Sequence, residues 1–168
     1  VFGAENVIPG LVDGPHAMDA GDLDYDGDLD VVSVSRYDGK ISWYQNKGDG
    51  LFDSDSNVTI SEGVYDPRAV RLADLDGDED LDVLVASYSD DRVIWFENDG
   101  LGSFGPAMDV DASADGAYSV WVDDLDGDGD LDVLSASSKD DTVAWYENNG
   151  SGGGWSKVVV SDSVDNVK

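Results

Sequence analysis

The chain has 168 residues, a formal net charge of −29 at pH 7, 40% hydrophobic residues and no cysteine. That length suffices for one ordinary domain with a core, and that hydrophobic share excludes a disordered acidic tail. The charge makes nucleic acid and anionic membrane surfaces poor partners, the lack of cysteine excludes disulfides and thiolate metal sites, and no apolar run reaches the length of a membrane span. Asp supplies 33 of the 38 acids. Asp favours turns and short oxygen-ligand loops, so the bias points away from helices and toward a loop-rich cation binder.

In chain order, residues 1–12 carry an apolar run, Phe2 to Ile8, that reads as an outer strand. Ala17 to Ala20 is the next run. The acidic nonapeptide Asp22-Leu-Asp24-Tyr-Asp26-Gly-Asp28-Leu-Asp30 follows it. Then come Val31 to Ser35, a turn at Asp38-Gly39, Lys40 to Tyr44, an Asn/Gly turn from Asn46 to Gly50, and a run opening on Phe52.

The same succession then recurs. Ala69 to Ala73 leads into Asp74-Leu-Asp76-Gly-Asp78-Glu-Asp80-Leu-Asp82, followed by Val83 to Ser87, Arg92 to Phe96, a turn at Asn98 to Gly102, and Phe104. Ser119 to Val122 leads into Asp124-Leu-Asp126-Gly-Asp128-Gly-Asp130-Leu-Asp132, followed by Val133 to Ser137, Thr142 to Tyr146, a turn at Asn148 to Gly152, and Trp155. The aromatics after the turns, Phe2, Phe52, Phe104 and Trp155, lie 50, 52 and 51 residues apart.

Every run is short, rich in β-branched and aromatic residues, and bounded by Asp, Asn or Gly, so each repeat reads as four antiparallel strands. A four-strand unit of about 50 residues suits a propeller blade. The expected fold is all-β, with about three blades that form a segment of a larger propeller. Residues 1–12 would be the outer strand of a preceding blade, 15–61, 67–112 and 117–162 the three blades, and 163–168 the start of a following one. Propellers close with four to eight blades, so the remaining ones must come from the same chain or another. The near-continuous apolar run from Leu81 to Ala86 fits a strand covered on both faces, and Trp43, Trp95 and Trp145 fit packing between blades.

Five carboxylates in nine residues repel one another unless a cation sits among them. Calcium takes six to eight hard oxygen ligands, and a pattern of Asp at positions 1, 3, 5 and 9 supplies them from a tight turn. Position 7 can add its backbone carbonyl. The candidate calcium ligands are therefore Asp22, Asp24, Asp26, Asp28 and Asp30, then Asp74, Asp76, Asp78, Asp80 and Asp82, then Asp124, Asp126, Asp128, Asp130 and Asp132. An EF-hand begins alike but needs Glu at position 12, where this chain has Ser33, Val85 and Ser135. Position 6 is the place for a positive φ. It holds Gly27 and Gly129 but Glu79 in the second loop, which makes that site the weakest expected.

With its loops, strand runs and the Phe2-Gly3 and Phe104-Gly105 pairs, the chain resembles the FG-GAP/VCBS repeat family, the integrin α-chain type of β-propeller. The second repeat has Phe52-Asp53 and the last Trp155-Ser156, so the Phe-Gly half of the signature is degenerate there. The resemblance implies calcium in the loop between the first two strands of each blade, and a secreted or cell-surface module for adhesion or for binding protein or glycan. Some relatives are lectins and some are appended to enzymes. The sequence carries no nucleophile elbow, phosphate loop or metalloprotease motif, so the expected role is noncatalytic. Sugar pockets between blades are the alternative, with Tyr37 and Tyr88 in neighbouring places after the second strand but Ser138 and Lys139 in the third repeat.

Overall fold

Runs this short cannot hold a helix of useful length, so their backbone groups find partners on neighbouring runs. The computed structural model describes residues 8, 12–48, 50–53 and 55–163. Of the expected outer strand at residues 1–12 only 8 and 12 are described, and 164–168 lie outside the described residues. Among the described residues there are twelve strands and no helix.

The first sheet holds β1 (Pro15–Gly21), β2 (Asp30–Ser35), β3 (Lys40–Tyr44) and β4 (Asn57–Glu62). The second holds β5 (Pro67–Ala73), β6 (Asp82–Ser87), β7 (Arg92–Phe96) and β8 (Met108–Asp111). The third holds β9 (Ala117–Asp123), β10 (Asp132–Ser137), β11 (Thr142–Asn148) and β12 (Trp155–Ser161). Each is a four-stranded antiparallel meander in chain order, the form of a propeller blade. Register is conserved between blades, with Val31 opposite Tyr44, Val83 opposite Phe96 and Val133 opposite Tyr146.

Two of the three described outer strands start later than the sequence expectation, while β12 begins on Trp155 as expected. β4 and β8 begin at Asn57 and Met108, several residues after Phe52 and Phe104. Phe104 makes an isolated bridge to Asn98 and turns its ring edge-on to Trp43 of the first blade, 6.2 Å between centroids. Its burial is thus won across the blade junction rather than within its own sheet.

The cores lie between blades. One joins blades one and two through Val32, Val34 and Trp43 against Val70 and Val83; the other joins blades two and three through Leu84 and Trp95 against Val120 and Val133. Trp43 and Trp95 are buried against the next blade, where Gly102 and Gly152 lie under their rings. A Cβ on Gly102 would stand 2.2 Å from the Trp43 ring and one on Gly152 2.6 Å from the Trp95 ring, so both turns need glycine. All six residues of β6 are buried, as a strand covered on both faces requires, whereas Leu134 and Ala136 of β10 are half-exposed.

The ends of the stack show what is uncovered. Leu23 and Leu75 are buried by the next blade, but their counterpart Leu125 is 43% exposed. Val70 and Val120 are buried against the previous blade, while Met18 at the same position is 69% exposed.

Candidate metal centres

Each acidic loop joins the first and second strands of a blade, and its carboxylates fold back on the loop's own amides. Asp74 accepts from Gly77 N at 2.8 Å, Asp78 N at 3.1 Å and Glu79 N at 3.0 Å. Asp124 accepts from Gly127 N at 2.8 Å and Gly129 N at 3.2 Å, and Asp22 from Gly27 N at 3.0 Å. Bonds of this kind curl the chain around its first aspartate.

The curl brings ligand atoms together. One carboxylate oxygen from each of Asp22, Asp24 and Asp30 lies within 4.8 Å of the others; so do Asp74, Asp76 and Asp78, and Asp124, Asp126 and Asp132. Positions 1 and 3 converge in every loop. Position 9 joins them in the first and third loops, and position 5 in the second. Asp26, Asp82 and Asp128 stand outside these triads.

Position 7 faces elsewhere. The carboxylates of Asp28, Asp80 and Asp130 lie 3.4, 2.5 and 2.6 Å from where a Cβ on Gly48, Gly100 and Gly150 would stand. These side chains pack on the turn after the third strand, which leaves only their backbone carbonyls for a cation.

Position 9 has a second duty that sequence reasoning missed. Asp30, Asp82 and Asp132 are almost fully buried. One oxygen of each accepts the amide of Leu23, Leu75 or Leu125; the other accepts the amide of Asn46, Asn98 or Asn148, at 2.7 to 2.9 Å. The same asparagines donate their side-chain amides to the loop carbonyls of Leu29, Leu81 and Leu131. Asn98 and Asn148 also reach the previous blade, at Leu23 O (2.9 Å) and Leu75 O (2.7 Å). The signal was present as an Asn at one place in every repeat, but it resembled an ordinary turn residue.

Electrostatics favour a cation. Burial pushes the Asp82 carboxyl up to about 7, with Asp76 and Asp78 adding to the rise against the amide bonds from Asn98 and Leu75. Burial likewise raises Asp76, helped by Asp78, and Asp30. In the first loop Asp22 Oδ1 and Asp24 Oδ1 are buried without a hydrogen-bond partner. Buried carboxylate oxygens left bare cost several kcal/mol, on the order of a lost charged hydrogen bond or more, unless something positive meets them. The donor set is all oxygen, which suits a hard cation.

Backbone strain is shared differently from the sequence expectation. Positive φ occurs at position 4 as well as position 6: Tyr25 (57°) and Gly27 (90°), Gly77 (81°) and Glu79 (77°), Gly127 (82°) and Gly129 (102°). The first two loops thus carry one strained non-glycine each, at about 1 kcal/mol. Only the third is free of it. The Tyr25 hydroxyl donates to the Glu79 carbonyl, so the two strained residues meet across the blade junction.

No curated protein matches the chain. Among solved structures, a lectin of Agrocybe aegerita, described for specific recognition of non-reducing terminal N-acetylglucosamine, superposes with a TM-score of 0.59 at 24% identity. The match covers 87% of this chain and 38% of that one, so this chain spans under two fifths of the lectin's length. At that identity the likeness carries the propeller fold alone. The profile of the FG-GAP-like repeat matches three times, over residues 22–85, 74–135 and 124–167, each match opening on the first aspartate of a loop. The chain belongs to the FG-GAP-like repeat family.

Proposed function

We propose that the chain is a noncatalytic, calcium-stabilised β-propeller module, secreted or at the cell surface, that binds a protein or glycan ligand. One observation carries the reading: three aspartate clusters recur at one place in three blades, and the first holds buried, unpartnered carboxylate oxygens. Calcium would be held by Asp22, Asp24 and Asp30, by Asp74, Asp76 and Asp78, and by Asp124, Asp126 and Asp132. Asp26, Asp82 and Asp128, with the backbone carbonyls of Asp28, Asp80 and Asp130, complete the proposed shells. The ion supplies positive charge to the loop and fixes the turn between the first two strands. Its work is structural.

The exposed Leu125 and Met18 support further blades on both sides, from this chain or another, because equivalent residues are buried wherever a neighbour exists. A ligand that binds only the folded state raises stability by mass action. The melting temperature should therefore rise with calcium and fall with chelator; a melt indifferent to both would overturn the reading. The second reading, a lectin with sugar pockets between blades, is favoured by two exposed tyrosines at the junction of blades one and two.

A further inference from the structure

On the face opposite the acidic loops, the turn between the second and third strands of each blade meets the segment leading into a first strand. Between blades one and two this junction is an open cleft of about 400 Å³, lined by Arg36, Tyr37, Tyr65, Asp66 and Ser89. Tyr37 and Tyr65 are 70% and 66% exposed, unusual for rings of their size on a structured turn. The Tyr37 ring rests on Gly14, where a Cβ would stand 2.5 Å from it. Tyr65 is held at its backbone by Asp90, which accepts from its amide at 2.8 Å, and by Ser89 N, which donates to its carbonyl at 3.1 Å.

The polar lining is equally built. Asp66 takes a bond from Arg36 Nε at 2.7 Å and from Arg68 Nη2 at 2.8 Å. Burial alone would raise this carboxyl, but the two guanidinium groups hold it below the usual carboxylate range. Asp66 keeps its left-handed backbone (φ 53°) with its carbonyl accepting from Tyr88 N at 3.2 Å.

The next junction shows the alternative. There Tyr88, Ser89, Asp115, Gly116 and Lys139 stand where the first has Arg36, Tyr37, Tyr65, Asp66 and Ser89. The Lys139 chain lies across it, 4.7 Å from the Tyr88 ring, bonded to Asp91 and to Tyr88 O at 3.1 Å, with its Cγ over Gly116. Ser89 is too short to span the first junction in that way, which leaves it open.

We infer that the Tyr37–Tyr65 cleft is a binding site for a neutral saccharide. Two largely exposed tyrosine rings, Tyr37 with the Arg36 guanidinium 5.6 Å from its centroid, suit the apolar face of a pyranose, and the volume lies in the range of small-ligand sites. Arg36 and Asp66 set donors beside acceptors, which paired hydroxyls can use both ways. A proline-rich peptide would offer carbonyls but few donors for Asp66. The net charge of −29 disfavours acidic sugars, and Arg36 is paired with Asp66. The inference rests on the reading of the chain as a ligand-binding module.

The test is a panel of neutral oligosaccharides, free in solution and immobilised on an array, against the calcium-loaded chain, with an acidic-sugar set and a proline-rich peptide as competitors. Binding to neutral sugars is expected. Tyr37→Ser, which copies Ser89 at the equivalent place, should weaken it about fivefold to tenfold. Ser89→Lys, which copies Lys139, should abolish it with an unchanged melting temperature. Binding in the array arm alone would assign the ligand to surface glycans, and binding in both arms would include free sugars. Either result supports the site. Sugar binding that survives both substitutions overturns the site while leaving the module reading intact. No binding by a protein that still melts higher in calcium, or capture of the peptide instead, overturns the saccharide assignment.

Discussion

Asn98 is the fastener whose removal best tests how the blades cohere. Its side chain is 1% exposed and donates to Leu81 O of its own loop at 3.1 Å and to Leu23 O of the previous blade at 2.9 Å. Asn98→Ala leaves the buried carbonyl of Leu23 and the part-buried carbonyl of Leu81 unsatisfied. Each costs about 1–3 kcal/mol, and some relaxation is certain, so a total of about 2–4 kcal/mol is expected. For a chain of this size 1 kcal/mol moves the melting temperature by roughly 2–4 °C, giving a drop of about 5–15 °C. Asn46→Ala is the internal control: its side-chain amide donates to Leu29 O at 3.1 Å, its Oδ1 accepts from Gly48 N at 3.1 Å in a part-exposed turn where water can replace it, and among the described residues no sheet precedes it. Its drop should be about half as large. Both are measured by calorimetry in saturating calcium, with urea titration as a second readout. Equal losses at the two positions would refute the argument that the bond across the junction carries the difference.

Glu79→Gly should relieve the φ of 77° and raise the melting temperature by about 2–4 °C, and a fall would show that Glu79 contributes something strain does not capture. Gly152→Ala would set a Cβ 2.6 Å from the Trp95 ring at a φ of 59° and should cost about 2–4 kcal/mol. Gly63→Ala, at a φ of 88° but with nothing within 4 Å, should cost about 1 kcal/mol; equal costs would deny the clash. Asp111 ties blades two and three: it accepts from Lys157 Nζ at 2.7 Å and Tyr146 Oη at 2.8 Å. Burial would raise its carboxyl, but Lys157, Ser113 and Tyr146 hold it below the ordinary range. A depressed carboxyl stabilises the fold above its unfolded value, near pH ~3.9, and that contribution is lost as pH falls through the folded value. The melting gap between the parent and Lys157→Met should thus be widest above about pH 5 and shrink toward pH 3; a constant gap would contradict it.

Strands and blade period were readable because both depend on local chemistry. Asp and Gly punctuate the chain, β-branched runs fill the gaps, and the loop repeats often enough to set the register. The starts of two outer strands, β4 and β8, were misjudged for the opposite reason. Phe104 serves Trp43 of another blade, and no pattern around Phe104 records a partner some sixty residues away. The positive φ at Tyr25 was hidden by its own side chain, since only the glycines at 77 and 127 mark that position. Lys139 and Ser89 occupy equivalent places, yet what separates a filled junction from an open one is side-chain reach, which appears only once the blades are stacked.

Position 9 gives the acidic loop a role beyond that of a candidate cation site. Asp82 lies beside the second cluster and takes the amide of Asn98, and Asn98 in turn holds the first blade's loop by Leu23 O. Asp132 and Asn148 repeat the link to Leu75 O. The chain of bonds runs loop to loop across both junctions, so a charge placed among the carboxylates of one blade acts on the seam with the previous one. A loop that only needed a tight turn could be built from glycine and asparagine without crowding five acids into nine residues. Charges that close are tolerable where a cation answers them, and the geometry they then fix is the geometry the clasping asparagines require. In the proposed calcium-bound form, cation site and blade fastener are one structure, and the weakest point of the stack should be wherever a loop is left without its ion.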